Sequence, residues 1–153
     1  MITLDHNNFT TVEKAKQSIG LLEQEFRKGN GVAGFMLAVV YSEGATFMPD
    51  EVKAAIDASD TKALEYQTRS FPLLLRKAEE GDGECMHVLS MYYQAGMPPV
   101  KPDRHLFKVW SERAFEAGYH LAVDNLLAIY GNPSSEFYEP AKALELRRRF
   151  GLV

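Results

Sequence analysis

The sequence predicts an all-α fold, a short right-handed solenoid of αα-hairpins. A spacing that recurs three times supports this prediction: a glycine, a small residue four positions on, a leucine eight on and a tyrosine twelve on. The three copies are Gly29-Ala33-Leu37-Tyr41, Gly81-Cys85-Leu89-Tyr93 and Gly118-Ala122-Leu126-Tyr130. Steps of four place such side chains on one stripe of a helix, and a glycine soon after each tyrosine marks a helix end. The recurrence therefore indicates an array of helical repeats.

The first copy begins with a helix that is predicted to start at Thr10 or Thr11 and to run to Lys28. Thr10 and Glu13 have the spacing of a capping box, in which a hydroxyl and a carboxylate satisfy two free backbone donors. The second helix of this copy is predicted at about residues 32–42.

The interval between the first two copies is longer than a repeat. Gly29 and Gly81 lie 52 residues apart, whereas Gly81 and Gly118 lie 37 apart, so 52 − 37 = 15 residues are extra. Pro49 and Asp50 can open a short helix that reaches Ala58. This segment is therefore predicted to be an insertion with helical structure of its own.

A second helix of the insertion is predicted to begin at Ser59 or Asp60 and to run toward Ser70. Pro72 falls inside the following helical pattern, where proline removes a backbone donor. The sequence therefore predicts a kink at Pro72, or a restart with Ser70 as the new cap.

The C-terminal part holds two further helices. Three prolines between Met97 and Asp103 predict a loop, after which Asp103 caps the helix that contains Trp110. Pro140 is predicted to open a last helix, residues 141–150, whose three arginines suit its negative C-terminal end. This helix would cover the end of the array.

These segments define one predicted domain, residues 1–153. Its parts are repeat 1 (about 10–44), an insertion (about 45–70), repeat 2 (about 70–96), repeat 3 (about 103–131) and a capping helix (about 140–150).

The third copy carries the fullest signature, because Asp103 is followed by Trp110, Ala114 and Gly118 at the same regular steps. This segment resembles a Sel1-like repeat, a relative of the tetratricopeptide repeat. The family's later positions are filled by Ala122, Leu126 and Tyr130, and Phe107 stands where the family usually has alanine. In the second copy, Leu73 occupies the tryptophan position, Lys77 the alanine position and Tyr66 the aspartate position. In the first copy, Leu21 occupies the tryptophan position and Glu25 the alanine position.

The resemblance implies that Trp110 is wedged between helices and that the repeats pack on one another. The repeat pattern therefore predicts a set of largely buried residues: Leu89, Tyr93, Trp110, Ala114, Leu126 and Tyr130. It also implies a typical role as an adaptor that holds another protein.

Composition and charge exclude several classes of protein. A formal net charge of −4 and a pI near 5.6 argue against nucleic-acid binding. The apolar stretch Val32–Tyr41 is about half the length of a membrane span, and the N-terminal residues lack the pattern of a signal peptide. One cysteine excludes an internal disulfide. We therefore expect a cytoplasmic protein that does not bind membranes.

No residue pattern predicts catalysis, a metal or a cofactor. The four histidines, His6, His87, His105 and His120, have no pair three or four positions apart. Cys85 fills the small-residue position of its repeat, which predicts a buried side chain rather than a catalytic thiol. The acidic residues Glu79 and Glu80 are interpreted as a solvated helix end rather than an acid–base pair. The sequence therefore predicts no enzymatic activity.

The second helix of each repeat has a face that points away from the buried stripe. At 100° per residue, this face carries six residues that we expect to bind a partner: Phe35, Val39, His87, Met91, His120 and Asp124. Phe35, Val39 and Met91 are too apolar for a solvated face, which is typical of a docking surface. The alternative is that the insertion folds across Phe35 and Val39 and buries them.

The sequence therefore predicts a non-catalytic module that binds a protein partner. Two specific roles stay open: a bacterial immunity protein that sequesters a toxic effector, and an intracellular adaptor or signalling scaffold that binds a peptide. A third alternative is a hydrolase. It is disfavoured because the Sel1-like proteins for which hydrolysis has been suggested are secreted and have paired cysteines.

Overall fold

The computed structural model describes residues 4–152, and every regular element in that range is helical. The helices are α1 (Val12–Arg27), α2 (Gly31–Tyr41), α3 (Asp50–Ala55), α4 (Asp60–Glu79), α5 (Gly83–Ala95), α6 (Arg104–Glu116), α7 (Val123–Gly131) and α8 (Pro140–Arg149). Two 3₁₀ turns, His6–Phe9 and His120–Ala122, precede α1 and α7. The all-α fold class is confirmed. None of the helices in the described part is long and apolar enough to cross a membrane.

The chain forms two compact units, of which the first ends at Arg76 and the second begins at Lys77. In the first unit α1 packs on α2, and α3 contacts α1. Its core also takes in the insertion through four buried side chains, Met48, Val52, Ile56 and Ala63.

The first helix begins one residue later than the predicted capping box requires. Thr11 is the cap, and its hydroxyl oxygen accepts a hydrogen bond from the Lys14 backbone N–H at 3.3 Å. The Thr10 hydroxyl instead donates to the Asn7 carbonyl at 3.0 Å and closes the preceding 3₁₀ turn, which Phe9 anchors in the core. The predicted Thr10–Glu13 capping box is therefore wrong.

The predicted break within the insertion is confirmed. Helix α3 ends at Ala55, short of the predicted Ala58, because Asp57 adopts a left-handed conformation with φ of 56°. The Ser59 hydroxyl accepts from the Lys62 backbone N–H at 3.4 Å at the start of α4, and the Ser59 N–H donates to the Tyr41 carbonyl at 2.9 Å.

Helix α4 continues through Pro72, so the predicted restart with Ser70 as a cap is wrong. The buried Ser70 hydroxyl donates to the Tyr66 carbonyl at 2.6 Å, which is a bond within the helix. Both Ser70 and the fully buried Leu74 pack against glycines of α2. This packing stabilises the helix on both sides of Pro72 and outweighs the tendency of proline to break a helix.

In the second unit the consecutive helices pack on each other: α5 on α6, α6 on α7 and α7 on α8. Asp103 caps α6 as predicted, accepting from the Leu106 backbone N–H at 2.8 Å. Of the residues that the repeat pattern places in the core, five are buried: Leu89, Trp110, Ala114, Leu126 and Tyr130.

The sixth residue, Tyr93, is partly exposed, and its neighbour Tyr92 is fully buried instead. The prediction that Tyr93 lies in the core is therefore wrong. At the end of α5 the helix turns Tyr92 inward, and the Tyr93 carbonyl accepts the Asp103 N–H at 2.9 Å in the following loop.

A polar cluster lies within the core of the second unit. The Asn125 side-chain amide on α7 donates to the hydroxyl of Ser90 on α5 at 3.1 Å and to that of Ser111 on α6 at 3.3 Å. Both serines are fully buried, and the Ser90 hydroxyl donates to the His87 carbonyl. The side-chain amide of Asn125 therefore links α5, α6 and α7.

Helix α8 is held against α6 and α7 by charged side chains. The Tyr130 hydroxyl donates to the Glu112 carboxylate, which also lies 3.3 Å from the Lys108 ammonium and 3.8 Å from the Lys142 ammonium. Lys142 also donates to the Tyr130 hydroxyl at 3.1 Å. Burial raises the pKa of Glu112, but the bonds from Tyr130 and Lys108 outweigh it and leave the pKa below its usual value of 4.5.

Glu112→Gln is expected to make stability less dependent on acid pH. Because the folded state lowers the pKa of Glu112, its carboxylate stabilises the fold above about pH 4.5, and this contribution is lost as the pH falls through the lowered pKa. The variant should lose about 1–2 kcal/mol at pH 7, as for a charge-assisted hydrogen bond, and progressively less as the pH falls through the lowered pKa of Glu112. Urea titrations of both proteins at several pH values measure this difference, and an equal loss at every pH would contradict the assignment.

Candidate docking surfaces

Phe35 and Val39 lie one turn apart on α2, a helix whose other residues are mostly buried. Both side chains are partly exposed. The core of the first unit takes Ala33, Leu37 and Val40 from the same helix. The insertion also packs into this core, yet Phe35 and Val39 keep part of their surface accessible. The first unit therefore presents two apolar side chains at its surface.

His87 and Met91 lie one turn apart on α5 in the second unit and are also partly exposed. The His87 ring packs on the Tyr119 ring with centroids 5.1 Å apart, and its buried Nδ1 has no hydrogen-bond partner among the described residues. Burial lowers the pKa of His87, and the nearby Asp124 carboxylate only partly opposes this. His87 is therefore neutral at pH 7.

Asp124 and His120 are both exposed, and the Asp124 carboxylate is near enough to His87 to act on its pKa. The His120 ring lies 5.7 Å from the Phe115 ring and 5.7 Å from the Phe150 ring, measured between centroids. The structure therefore brings His87 and Asp124 together and places His120 in a separate aromatic group. Sequence reasoning missed Tyr119, which lies outside the repeat offsets used to choose the outward face.

Cys85 is buried, as its place in the repeat predicts. Burial, reinforced by the Asp82 carboxylate, raises the pKa of its thiol to about 12. The reactive thiolate is therefore essentially absent at pH 7. Asp82 itself caps α5 by accepting the Cys85 backbone N–H at 2.9 Å. This part of the helix is structural. The described residues contain no group of three histidine, cysteine or acidic side chains that could hold a metal ion.

A cleft of about 540 Å³ lies within the second unit and was not predicted from the sequence. Its walls are the end of α5, the start of α6, the end of α7 and the loop that precedes α8. The lining residues are Tyr93, Gln94, Pro102, Asp103, Arg104, Phe107, Ala128, Ile129, Asn132, Ser134, Ser135, Glu136 and Phe137. These residues come from three separate stretches of sequence, and seven of the thirteen lie outside the helices.

The loop wall of the cleft is fixed by its own hydrogen bonds. The Asn132 side-chain carbonyl accepts from the Ser134 backbone N–H at 2.9 Å, and the Ser135 hydroxyl accepts from the Phe137 N–H at 3.1 Å. Phe137 also packs against the core that contains Leu126. The wall is therefore ordered by contacts within the second unit.

The sequence matches no protein-family model, and it matches no curated protein. The structure is similar to the crystal structure of c5321, a protective antigen present in uropathogenic Escherichia coli strains, which displays an SLR (Sel1-like repeat) fold. The two chains are 28% identical with a TM-score of 0.52, and the match covers 89% of this chain and 26% of c5321. This chain therefore spans about a quarter of that protein's length. Together with the three repeated sequence stripes, the similarity shows that the chain has the Sel1-like repeat fold.

Proposed function

We propose that the chain is a non-catalytic protein–protein interaction module that binds a protein partner in the cytoplasm. The observation that carries this proposal is the partial exposure of Phe35, Val39 and Met91 on the second helices of two repeats. Large apolar side chains on an exposed helix face favour protein contact, because their burial in an interface removes apolar surface from water. The Sel1-like repeat fold supports the same role.

The immunity and adaptor roles are both forms of this proposal. In the immunity role the partner is a toxic effector, and the chain sequesters it in a bacterial cell. In the adaptor role the partner contributes a peptide. Identifying the gene next to the coding sequence separates the two, because an effector-like neighbour whose toxicity is relieved by co-expression supports immunity. Continued growth arrest under co-expression would favour the adaptor.

The docking residues of each unit are tested by a separate variant. We expect Phe35→Asp and Met91→Asp each to weaken binding by about tenfold or more, because a central aromatic or methionine side chain can carry about 2 kcal/mol. The partner is first isolated from native lysate, and its dissociation constant for each variant is then measured by calorimetry.

The matched controls are Leu64→Asp on α4 and Leu144→Asp on α8. These leucines are 46% and 40% exposed and lie outside the proposed faces. Binding at full strength by both test variants would place the partner elsewhere and contradict the proposal. A variant that loses its circular dichroism signal would show instead that its side chain belongs to the core.

A further inference from the structure

We propose that the cleft in the second unit binds an extended segment of a protein partner, which inserts one large apolar side chain. This inference rests on the proposed function, because it specifies the chemistry of the partner. It is carried by the size of the cleft, the residues of its floor and rim, and its continuity with the outward helix face.

The volume suits a short peptide segment, and the floor suits one large apolar side chain of that segment. About 540 Å³ lies within the range of ligand sites, which is about 300–1,000 Å³. Phe107, Ile129 and Phe137 give the floor an aromatic and aliphatic surface, and Phe107 and Phe137 are only partly covered by the core beneath them. An apolar side chain placed there would remove further surface of both rings from water.

The rim suits a peptide main chain. Four uncharged polar side chains line it: Gln94, Asn132, Ser134 and Ser135. Amides and hydroxyls both donate and accept hydrogen bonds, which matches the alternating N–H and C=O groups of an extended segment. Arg104 on α6 and Glu136 on the loop wall are both exposed and carry opposite charges. The segment is therefore expected to carry an acidic residue on the Arg104 side and a basic residue on the Glu136 side.

Ala128 connects the cleft to the proposed docking face. It lies one turn after Asp124 on α7 and also lines the cleft. Its side chain is small and exposed, so the partner's apolar residue can enter the cleft beside it.

The test blocks the cleft without changing the core. Peptides are selected from a random displayed library on the full chain, synthesised, and measured by fluorescence anisotropy against Ala128→Trp. Ala128 is exposed, so the tryptophan should occupy the cleft while the fold remains. Ala141→Trp is the matched control, because Ala141 is exposed on α8 and does not line the cleft.

The expected result is a set of peptides that share one large apolar residue and lose binding about tenfold or more in Ala128→Trp, with no loss in Ala141→Trp. The Arg104→Glu variant should bind peptides that carry an acidic residue more weakly than the unmodified chain does. The inference is overturned if no peptide is enriched, if the peptides lack an apolar anchor, or if Ala128→Trp binds them as the unmodified chain does. If the peptides lose binding only to the Met91→Asp variant, the proposed function stands and the cleft is rejected as their binding site.

Discussion

Gly34→Ala is expected to destabilise the first unit by about 3 kcal/mol or more, the upper range for overpacking a core. A Cβ at Gly34 would lie 2.1 Å from the Ser70 hydroxyl oxygen and 2.5 Å from the nearest Phe26 ring carbon. Ser70 can move only by giving up its bond to the Tyr66 carbonyl inside a fully buried site. The Phe26 ring makes an edge contact with the Tyr66 ring, with centroids 5.6 Å apart, and the Arg69 guanidinium lies over it 5.0 Å from its centroid. Neither the Ser70 nor the Phe26 side chain can therefore move away from the added Cβ without a large cost in folding free energy.

Gly20→Ala is the matched control. Gly20 lies in the middle of α1, and a Cβ there would meet no atom within 4 Å. Alanine restricts the unfolded chain and favours helix, so this variant should gain about 0.5–1 kcal/mol. Thermal unfolding followed by circular dichroism compares the two, and the expected midpoints shift in opposite directions. A Gly34→Ala midpoint equal to that of the unmodified chain would mean that α2 and α4 do not approach as closely as described.

The repeat spacing predicted the helices and most of the buried stripe because both depend on local geometry. A side chain every four residues must share a helix face, and Leu37, Leu89 and Leu126 are all buried accordingly. The cap at Asp103 and the helix opened by Pro140 follow from similarly local rules. These features need no knowledge of which helices become neighbours.

The features that sequence reasoning missed depend on contacts between distant residues. Pro72 would end an isolated helix, but Ser70 and Leu74 pack on α2 and keep α4 continuous. Gly34 lies outside the repeat offsets, and only the approach of Phe26 and Ser70 shows why a side chain is excluded there. The cleft combines helix ends and loops from three stretches of chain, so no single spacing could predict it.

All six candidate docking residues were chosen by helical geometry, and their exposure differs because of tertiary contacts. Phe35, Val39, His87 and Met91 are partly exposed, whereas His120 and Asp124 are exposed. His120 belongs to a 3₁₀ turn rather than to α7, which begins only at Val123. The 100° rotation per residue does not apply across that turn, so the sequence could not place His120 correctly relative to His87.

Leu126→Ala is expected to cost about 2–5 kcal/mol, the usual range for removing a buried leucine side chain. Leu126 is 3% exposed and belongs to a core with Ile129, Tyr130 and Ala143. This core joins α7 to α8, so a cavity at Leu126 would weaken the packing between these two helices.

Leu121→Ala provides the control, because Leu121 is 64% exposed and lies in the turn just before α7. A surface substitution of this kind should change stability by less than about 0.5 kcal/mol. Trp110 is the sole tryptophan and is buried on α6, so its fluorescence reports the second unit directly during urea unfolding. The Leu126→Ala midpoint should fall clearly while the Leu121→Ala midpoint stays in place. Equal midpoints would refute the repeat register, because that register alone distinguishes these two leucines in the sequence.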